Sequence, residues 1–96
     1  MGFRTHDEDG ALDTMSFDDY LIENREATFM MRAESDSMRD SGILSGDLLI
    51  VDRSRTPRRN DIVIAVADGA FVMTYFNDIG GESKVEAVVT AVIRKY

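Results

Sequence analysis

Residues 34–52 read ESDSMRDSGILSGDLLIVD, and this stretch decides the expected fold. Its first part is rich in Ser, Asp and Gly, which favour turns because their side chains are small or hydrogen-bond the local backbone. Its second part, Leu48–Val51, is an apolar run between Gly46-Asp47 and Asp52, the pattern of a short buried strand. The stretch therefore predicts a turn-rich loop that leads directly into a core strand.

The rest of the chain predicts four more strands and one short helix. Ser16 can cap a helix of about two turns that ends at Ile22, and Asp68-Gly69 is a hairpin-turn signal. Short, β-branched or alternating runs predict the other strands at Thr28–Arg32, Asp61–Val66, Phe71–Phe76 and Val85–Ile93. We expect a mainly β fold, a compact, curled antiparallel sheet that approaches a barrel, with a short N-terminal helix.

The length and the charge distribution predict one domain preceded by an acidic arm. The chain has 96 residues, and we divide it into a flexible acidic arm at 1–15 and a β domain at 16–96. Residues 1–26 hold eight acidic residues against two arginines, whereas residues 27–96 are almost neutral. Because phosphate contacts depend on clustered Lys and Arg, direct binding of nucleic acid is not favoured.

Composition also argues against several kinds of site. There is no cysteine, and His6 is the single histidine, so we expect no metal site, no cofactor and no Ser-His-Asp triad. No apolar run approaches the roughly 20 residues that span a bilayer, and the N-terminus lacks the apolar segment of a signal peptide. We therefore expect a cytoplasmic protein.

Two features leave alternatives open. Residues 53–60, RSRTPRRN, form a loop with four arginines. These either solubilise the turn or pair with the acidic arm, or they present a contact surface to an acidic partner or a phosphate backbone. Met30, Met31, Met38 and Met73 are expected to fill the core, although methionines also form adaptable binding surfaces.

Residues 16–76, and more loosely residues 85–96, resemble the LexA/UmuD family of self-cleaving proteins, the peptidase S24-like family. In that family a strand leads to Ser-Met, then to a Gly-rich segment, then to Gly-Asp and an apolar strand. The matching pieces here are Thr28–Arg32, Ser37-Met38, Ser41–Leu44 and Gly46–Val51, followed by Asn60–Ala65 and Asp68–Phe71. The processed form of UmuD, which begins at a glycine, shows the strongest resemblance, because this chain begins Met1-Gly2-Phe3. We therefore expect a trimmed form with an initiator methionine.

The resemblance implies a nucleophile but not an intact active site. It assigns the nucleophile's position to Ser37. The family's base is a buried neutral lysine, and the aligned position in this chain is occupied by Thr74. Lys84 is the remaining candidate base, since it begins the last predicted strand. Residues 77–83 also replace a longer excursion of the family. We therefore expect Ser37 to be a vestigial nucleophile in a protein whose peptidase activity is lost.

Three functions follow from the resemblance. The first is an accessory subunit of the SOS response, a homodimer or a heterodimer with a UmuD-type protein, that binds a Y-family translesion polymerase and the RecA filament. The second is an active Ser-Lys peptidase built from Ser37 and Lys84. The third, a dimerisation domain of a repressor, is disfavoured because no helix-turn-helix pattern precedes the domain.

Overall fold

The structure is a computed structural model that describes residues 12–81 and 83–96. It contains helix α1 (Phe17–Leu21) and strands β1 (Thr28–Arg32), β2 (Leu48–Asp52), β3 (Ile62–Ala67), β4 (Ala70–Tyr75) and β5 (Lys84–Ile93). The expected mainly β class is confirmed, and each predicted element is present within one residue of its predicted ends. Residues 1–11 of the expected arm lie outside the described residues. None of the described helices has the length and apolar character to cross a membrane.

The five strands form one antiparallel sheet in the order β1-β2-β5-β3-β4. Strand β5 holds the sheet together because it has ten residues and pairs on both sides. Its first half, from Lys84 to Val88, pairs with β3, and its second half, from Val88 to Ile93, pairs with β2. The edges of the sheet are therefore β1 and β4.

The hairpin between β3 and β4 is as tight as the sequence predicts. Asp68 and Gly69 have φ angles of 53° and 78°, the left-handed backbone that this class of two-residue hairpin requires. The hairpin fixes the register of β4 against β3, with Val63 opposite Thr74.

The core lies between one face of the sheet and the loop at residues 33–47. Met38 and Ile43 of the loop are buried against Leu49, Ile64 and Ala87. Met31 and Met73 pack against the same cluster, so core filling is confirmed for three of the four methionines. It is wrong for Met30, which is 62% exposed, because neighbouring side chains of a strand point to opposite faces.

An ion pair between the buried Asp47 and the half-exposed Arg94 joins this loop to the residue that follows β5. Asp47 is 2% exposed, and its carboxylate accepts hydrogen bonds from Arg94 Nε at 2.7 Å and Arg94 Nη2 at 2.6 Å. It also accepts one from the Leu44 N–H at 2.8 Å, while Arg94 Nη2 donates to the Gly42 carbonyl at 2.9 Å. The hydrogen bonds from Arg94 and from Leu44 lower the pKa of Asp47 to about 2.

We expect Ile43→Ala to lower the free energy of unfolding by about 2–5 kcal/mol, because Ile43 is 2% exposed and its loss opens a cavity. Met30→Ala is the control, with an expected change within about 0.5 kcal/mol, since this side chain is largely in solvent. Urea denaturation measures both. Equal losses in the two variants would contradict the placement of the core.

The pKa of Asp47 predicts a pH dependence of stability. Because this pKa falls from its ordinary value of 3.8 to about 2 on folding, the stability it contributes is complete above about pH 5. It is lost as the pH falls through 4 toward 2. Denaturation of the native chain, Asp47→Asn and Arg94→Gln across pH 2–6 measures this. Both variants are expected to flatten the profile, and an unchanged profile in Arg94→Gln would contradict the role of the pair.

Candidate functional site

Ser37 lies at the mouth of a groove of about 560 Å³ that runs between the two edges of the sheet. One wall is formed by the end of β1 and the residues after it, and the other by β4. The floor is apolar, since Leu49 and Ile64 lie there. The groove is lined by Met31, Arg32, Ala33, Glu34, Ser35, Ser37, Leu49, Ile64, Phe71, Val72 and Met73.

The hydroxyl of Ser37 contacts another serine. Ser35 Oγ donates to Ser37 Oγ at 3.1 Å and accepts from the Ser37 N–H at 3.3 Å. Ser37 is exposed, so its oxygen can be reached from the groove. A serine hydroxyl needs a base within hydrogen-bond reach to act as a nucleophile, and a second hydroxyl is not such a base.

The loop that carries Ser37 is held at both ends and in the middle. The Ala33 N–H donates to the Asp47 carbonyl at 2.9 Å, and the Gly46 N–H donates to the Ala33 carbonyl at 2.7 Å. Inside the loop, Asp36 Oδ1 accepts from the Ser45 N–H at 2.9 Å. Gly42 and Gly46 have φ angles of 89° and 96°, a backbone conformation that other residues rarely adopt. The position of Ser37 is therefore fixed by the fold.

Strand β4 contacts this loop through Tyr75. The hydroxyl of Tyr75 is hydrogen-bonded to the Ser41 hydroxyl, and the Tyr75 ring packs against the core cluster. Residues 41 and 75 therefore join the Ser37 loop to the strand that faces it across the groove. Sequence reasoning missed both this contact and the Asp47–Arg94 pair, because neither partner stands out in the sequence from other polar residues.

Thr74 occupies a half-buried position in β4. Neighbouring side chains of a strand point to opposite faces, so Thr74 projects on the side of β4 opposite to Met73 and Tyr75, whose side chains pack against the core cluster. Strand β4 reads Ala-Phe-Val-Met-Thr-Tyr from residue 70 to residue 75 and contains no lysine. The wall that faces Ser37 is apolar at Phe71, Val72 and Met73.

Lys84 is not among the residues that line the Ser37 groove. It pairs with Val66 at the start of β5, and its side chain is 82% exposed. Its Nζ lies 4.0 Å from Glu86 Oε2, which holds the ammonium group beside a carboxylate in solvent. The structure therefore does not bring Lys84 and Ser37 together.

A second apolar groove, of about 460 Å³, continues the first one along the sheet. Both grooves are lined by Met31, Ile64 and Phe71, and the second also contains Phe29 and Met30. Four large apolar side chains along these two sheet edges are substantially exposed. They are Phe29 at 47%, Met30 at 62%, Phe71 at 64% and Val72 at 40%.

The arginine loop is partly neutralised by neighbours in the domain. Arg53 Nη2 lies 3.7 Å from Glu86 Oε1, and its guanidinium carbon is 5.5 Å from the centre of the Phe29 ring. Arg55 Nη2 lies 3.5 Å from Glu23 Oε2. Two of the four arginines thus pair with carboxylates at residues 23 and 86, which lie outside the expected arm. Within residues 12–81 and 83–96, no His, Cys, Asp and Glu side chains form a group of three that could hold a metal ion.

Comparisons with known proteins place this geometry in a family. The family model described as Peptidase S24-like matches residues 1–87. Protein ImpA of Salmonella typhimurium is 42% identical over 75% of this chain and 50% of its own length, and Protein SamA of the same species is 40% identical over 75% and 51%. The LexA repressor of Sorangium cellulosum is 36% identical over 72% of this chain and 30% of its own length. The chain thus spans about half the length of ImpA and SamA. It belongs to the peptidase S24-like family, the LexA/UmuD family that its residues 16–76 resemble.

Proposed function

We propose that this chain is a UmuD-like accessory subunit of the SOS response that has lost peptidase activity. Its partners are a Y-family translesion polymerase, the RecA filament, and a second subunit that is either another copy of this chain or a UmuD-type protein. Family membership and similarity to ImpA and SamA support this role. The loss of activity rests on the residues around Ser37.

The observation that carries the proposal is the composition of the groove wall. Ser37 faces apolar side chains of β4, and its hydroxyl is hydrogen-bonded to Ser35. A Ser-Lys dyad needs an amine at that wall which is buried enough to be neutral. Thr74 cannot accept a proton near neutral pH, and Lys84 is 82% exposed beside Glu86. The groove is therefore suited to holding a peptide without cutting it.

The exposed sheet edges support a binding role. Strands β1 and β4 are the edges of the described sheet, and each presents backbone N–H and C=O groups on its outer side. An extended segment of a partner can add to such an edge, with backbone hydrogen bonds for affinity and side-chain pockets for specificity. The exposed Phe29, Met30, Phe71 and Val72 supply the apolar contacts.

The alternative is an active peptidase in which Ser37 is the nucleophile and Lys84 the base. The specific observation in its favour is that Ser37 is retained and exposed in a groove. It requires Lys84 to leave Glu86 and to cross from the start of β5 to the loop at residues 33–47. If Lys84 is the base, mutation of Lys84 must abolish cleavage, so the alternative can be tested by mutation.

We expect the native chain to leave an intact UmuD-type substrate uncleaved at mildly alkaline pH, with or without activated RecA. Thr74→Lys is expected to introduce cleavage, because it returns an amine to the position that the family resemblance assigns to the base. A positioned base accelerates such a step by about 10²–10⁴. Gel electrophoresis and the mass of the products measure the cleavage. Thr74→Lys combined with Ser37→Ala is the control and is expected to be inactive.

Cleavage by the native chain that is lost in both Ser37→Ala and Lys84→Ala would contradict the proposal and establish the alternative. A folded Thr74→Lys variant that binds the substrate without cleaving it would contradict the assignment of the base position to Thr74. Association of the native chain with the polymerase or the RecA filament is measured separately by sedimentation.

A further inference from the structure

We propose that Arg58 and Arg59 form a docking site for an acidic peptide segment of a partner protein. They lie at the β3 end of the arginine loop, which is the connection at residues 53–60 between β2 and β3. The inference goes beyond the proposed function, because this site uses neither Ser37 nor the exposed edges of the sheet. The site and the proposed function can therefore fail independently.

The arginine loop carries a concentrated positive charge that neighbouring carboxylates neutralise only in part. Residues 53–60 contain four arginines and no acidic residue. The two arginines at the β2 end of the loop pair with carboxylates. Arg58 and Arg59 are exposed, and neither forms an ion pair with a carboxylate of residues 12–81 or 83–96. Two positive charges therefore remain at the β3 end of the loop.

A closed turn holds these two arginines at fixed backbone positions. The Asp61 N–H donates to the Arg58 carbonyl at 3.0 Å, and the Arg58 N–H donates to Asp61 Oδ2 at 2.8 Å. Asn60, the third residue of the turn, has a φ of 71°, and asparagine tolerates this left-handed region better than most residues. The backbone that carries Arg58 and Arg59 is therefore ordered without a partner.

A reciprocal pair of amide side chains anchors this turn to the end of β4. The Asn60 N–H donates to Asn77 Oδ1 at 2.7 Å, and Asn77 Nδ2 donates to Asn60 Oδ1 at 3.1 Å. The Phe76 N–H donates to the Asp61 carbonyl at 2.8 Å. A loop that only solubilises the surface needs no such anchoring, whereas a preorganised site loses less conformational entropy when it binds.

The charge of the chain favours an acidic peptide over nucleic acid as the partner. Guanidinium groups form paired hydrogen bonds with carboxylates as well as with phosphates. A nucleic acid is a long polyanion that extends past two arginines, and a chain with a net charge of −7 repels it. A short acidic segment contacts these two arginines alone. The other two arginines of the loop already have carboxylates as partners.

The test is fluorescence anisotropy of the full chain with two labelled probes, a short capped oligoglutamate peptide and an oligothymidylate of similar charge. We expect the peptide to bind more tightly than the oligonucleotide. Its binding is expected to weaken as salt is added, because exposed charges are screened over about 8 Å at 0.15 M. Arg58→Gln combined with Arg59→Gln is expected to weaken peptide binding roughly tenfold, since two charge-assisted contacts are lost.

Two control variants separate the site from the net charge. Arg53→Gln combined with Arg55→Gln removes the same charge from arginines that already have partners, and its expected loss is less than about threefold. Asn77→Ala keeps the charge but releases Asn60, and it is expected to weaken binding about two- to fivefold because the turn is no longer preorganised. Circular dichroism and urea denaturation measure whether each variant is folded.

Failure of the native chain to bind the peptide would overturn the proposal. Equal losses in the two double-arginine variants would overturn it too, because binding would then follow net charge alone. Tighter binding of the oligonucleotide would identify nucleic acid as the partner instead. Peptide binding that requires Asp7→Asn, Glu8→Gln and Asp9→Asn would show that the site holds the acidic arm of its own chain. The cleavage and sedimentation measurements test the proposed function separately, so the two failures are distinguishable.

Discussion

The ion pair between Asp47 and Arg94 is the interaction on which the arrangement of the site depends. Residues 33–47 have no strand or α-helix of their own, and they must lie across the sheet with Met38 and Ile43 buried beneath them. The carboxylate of Asp47 caps the turn at Leu44, and Arg94 ties that turn to the residue just after β5. A buried carboxylate is costly without partners, and here it has three donated hydrogen bonds. The loop that presents Ser37 is thereby joined to the strand that organises the whole sheet.

The strands could be predicted from the sequence because each has a local pattern that the fold respects. Leu48–Asp52 is an apolar run bounded by turn residues. Asp68 and Gly69 predict a hairpin because both residue types tolerate the positive φ angles that the turn requires. The position of Ser37 could be predicted only because residues 34–52 resemble a known family. The contacts that fix the loop could not be predicted, since Arg94 and Tyr75 lie more than 30 residues from their partners. The exposure of Met30 follows from strand alternation, which the composition of the TFMMR segment conceals.

The groove combines the exposed hydroxyl of Ser37 with an apolar wall. Because β4 contains no lysine, this wall carries no cost of burying a group that is charged in water. What remains is a groove of about 560 Å³, with two strand edges and a floor of Leu49 and Ile64. These features favour the binding of an extended peptide with apolar side chains. Ser37 is supplied by the loop, whereas the apolar floor and the facing wall are supplied by the sheet.

The most direct test is a titration with a peptide that spans the self-cleavage bond of a UmuD-type protein, followed by NMR of the methionine methyl groups. Met31 and Met73 line the Ser37 groove, whereas Met15 lines a separate groove beside α1. The account predicts that the methyl signals of Met31 and Met73 shift, that the signal of Met15 does not, and that the peptide keeps its full mass after prolonged incubation. Cleavage of the peptide, or a titration that leaves Met31 and Met73 unchanged, would contradict it.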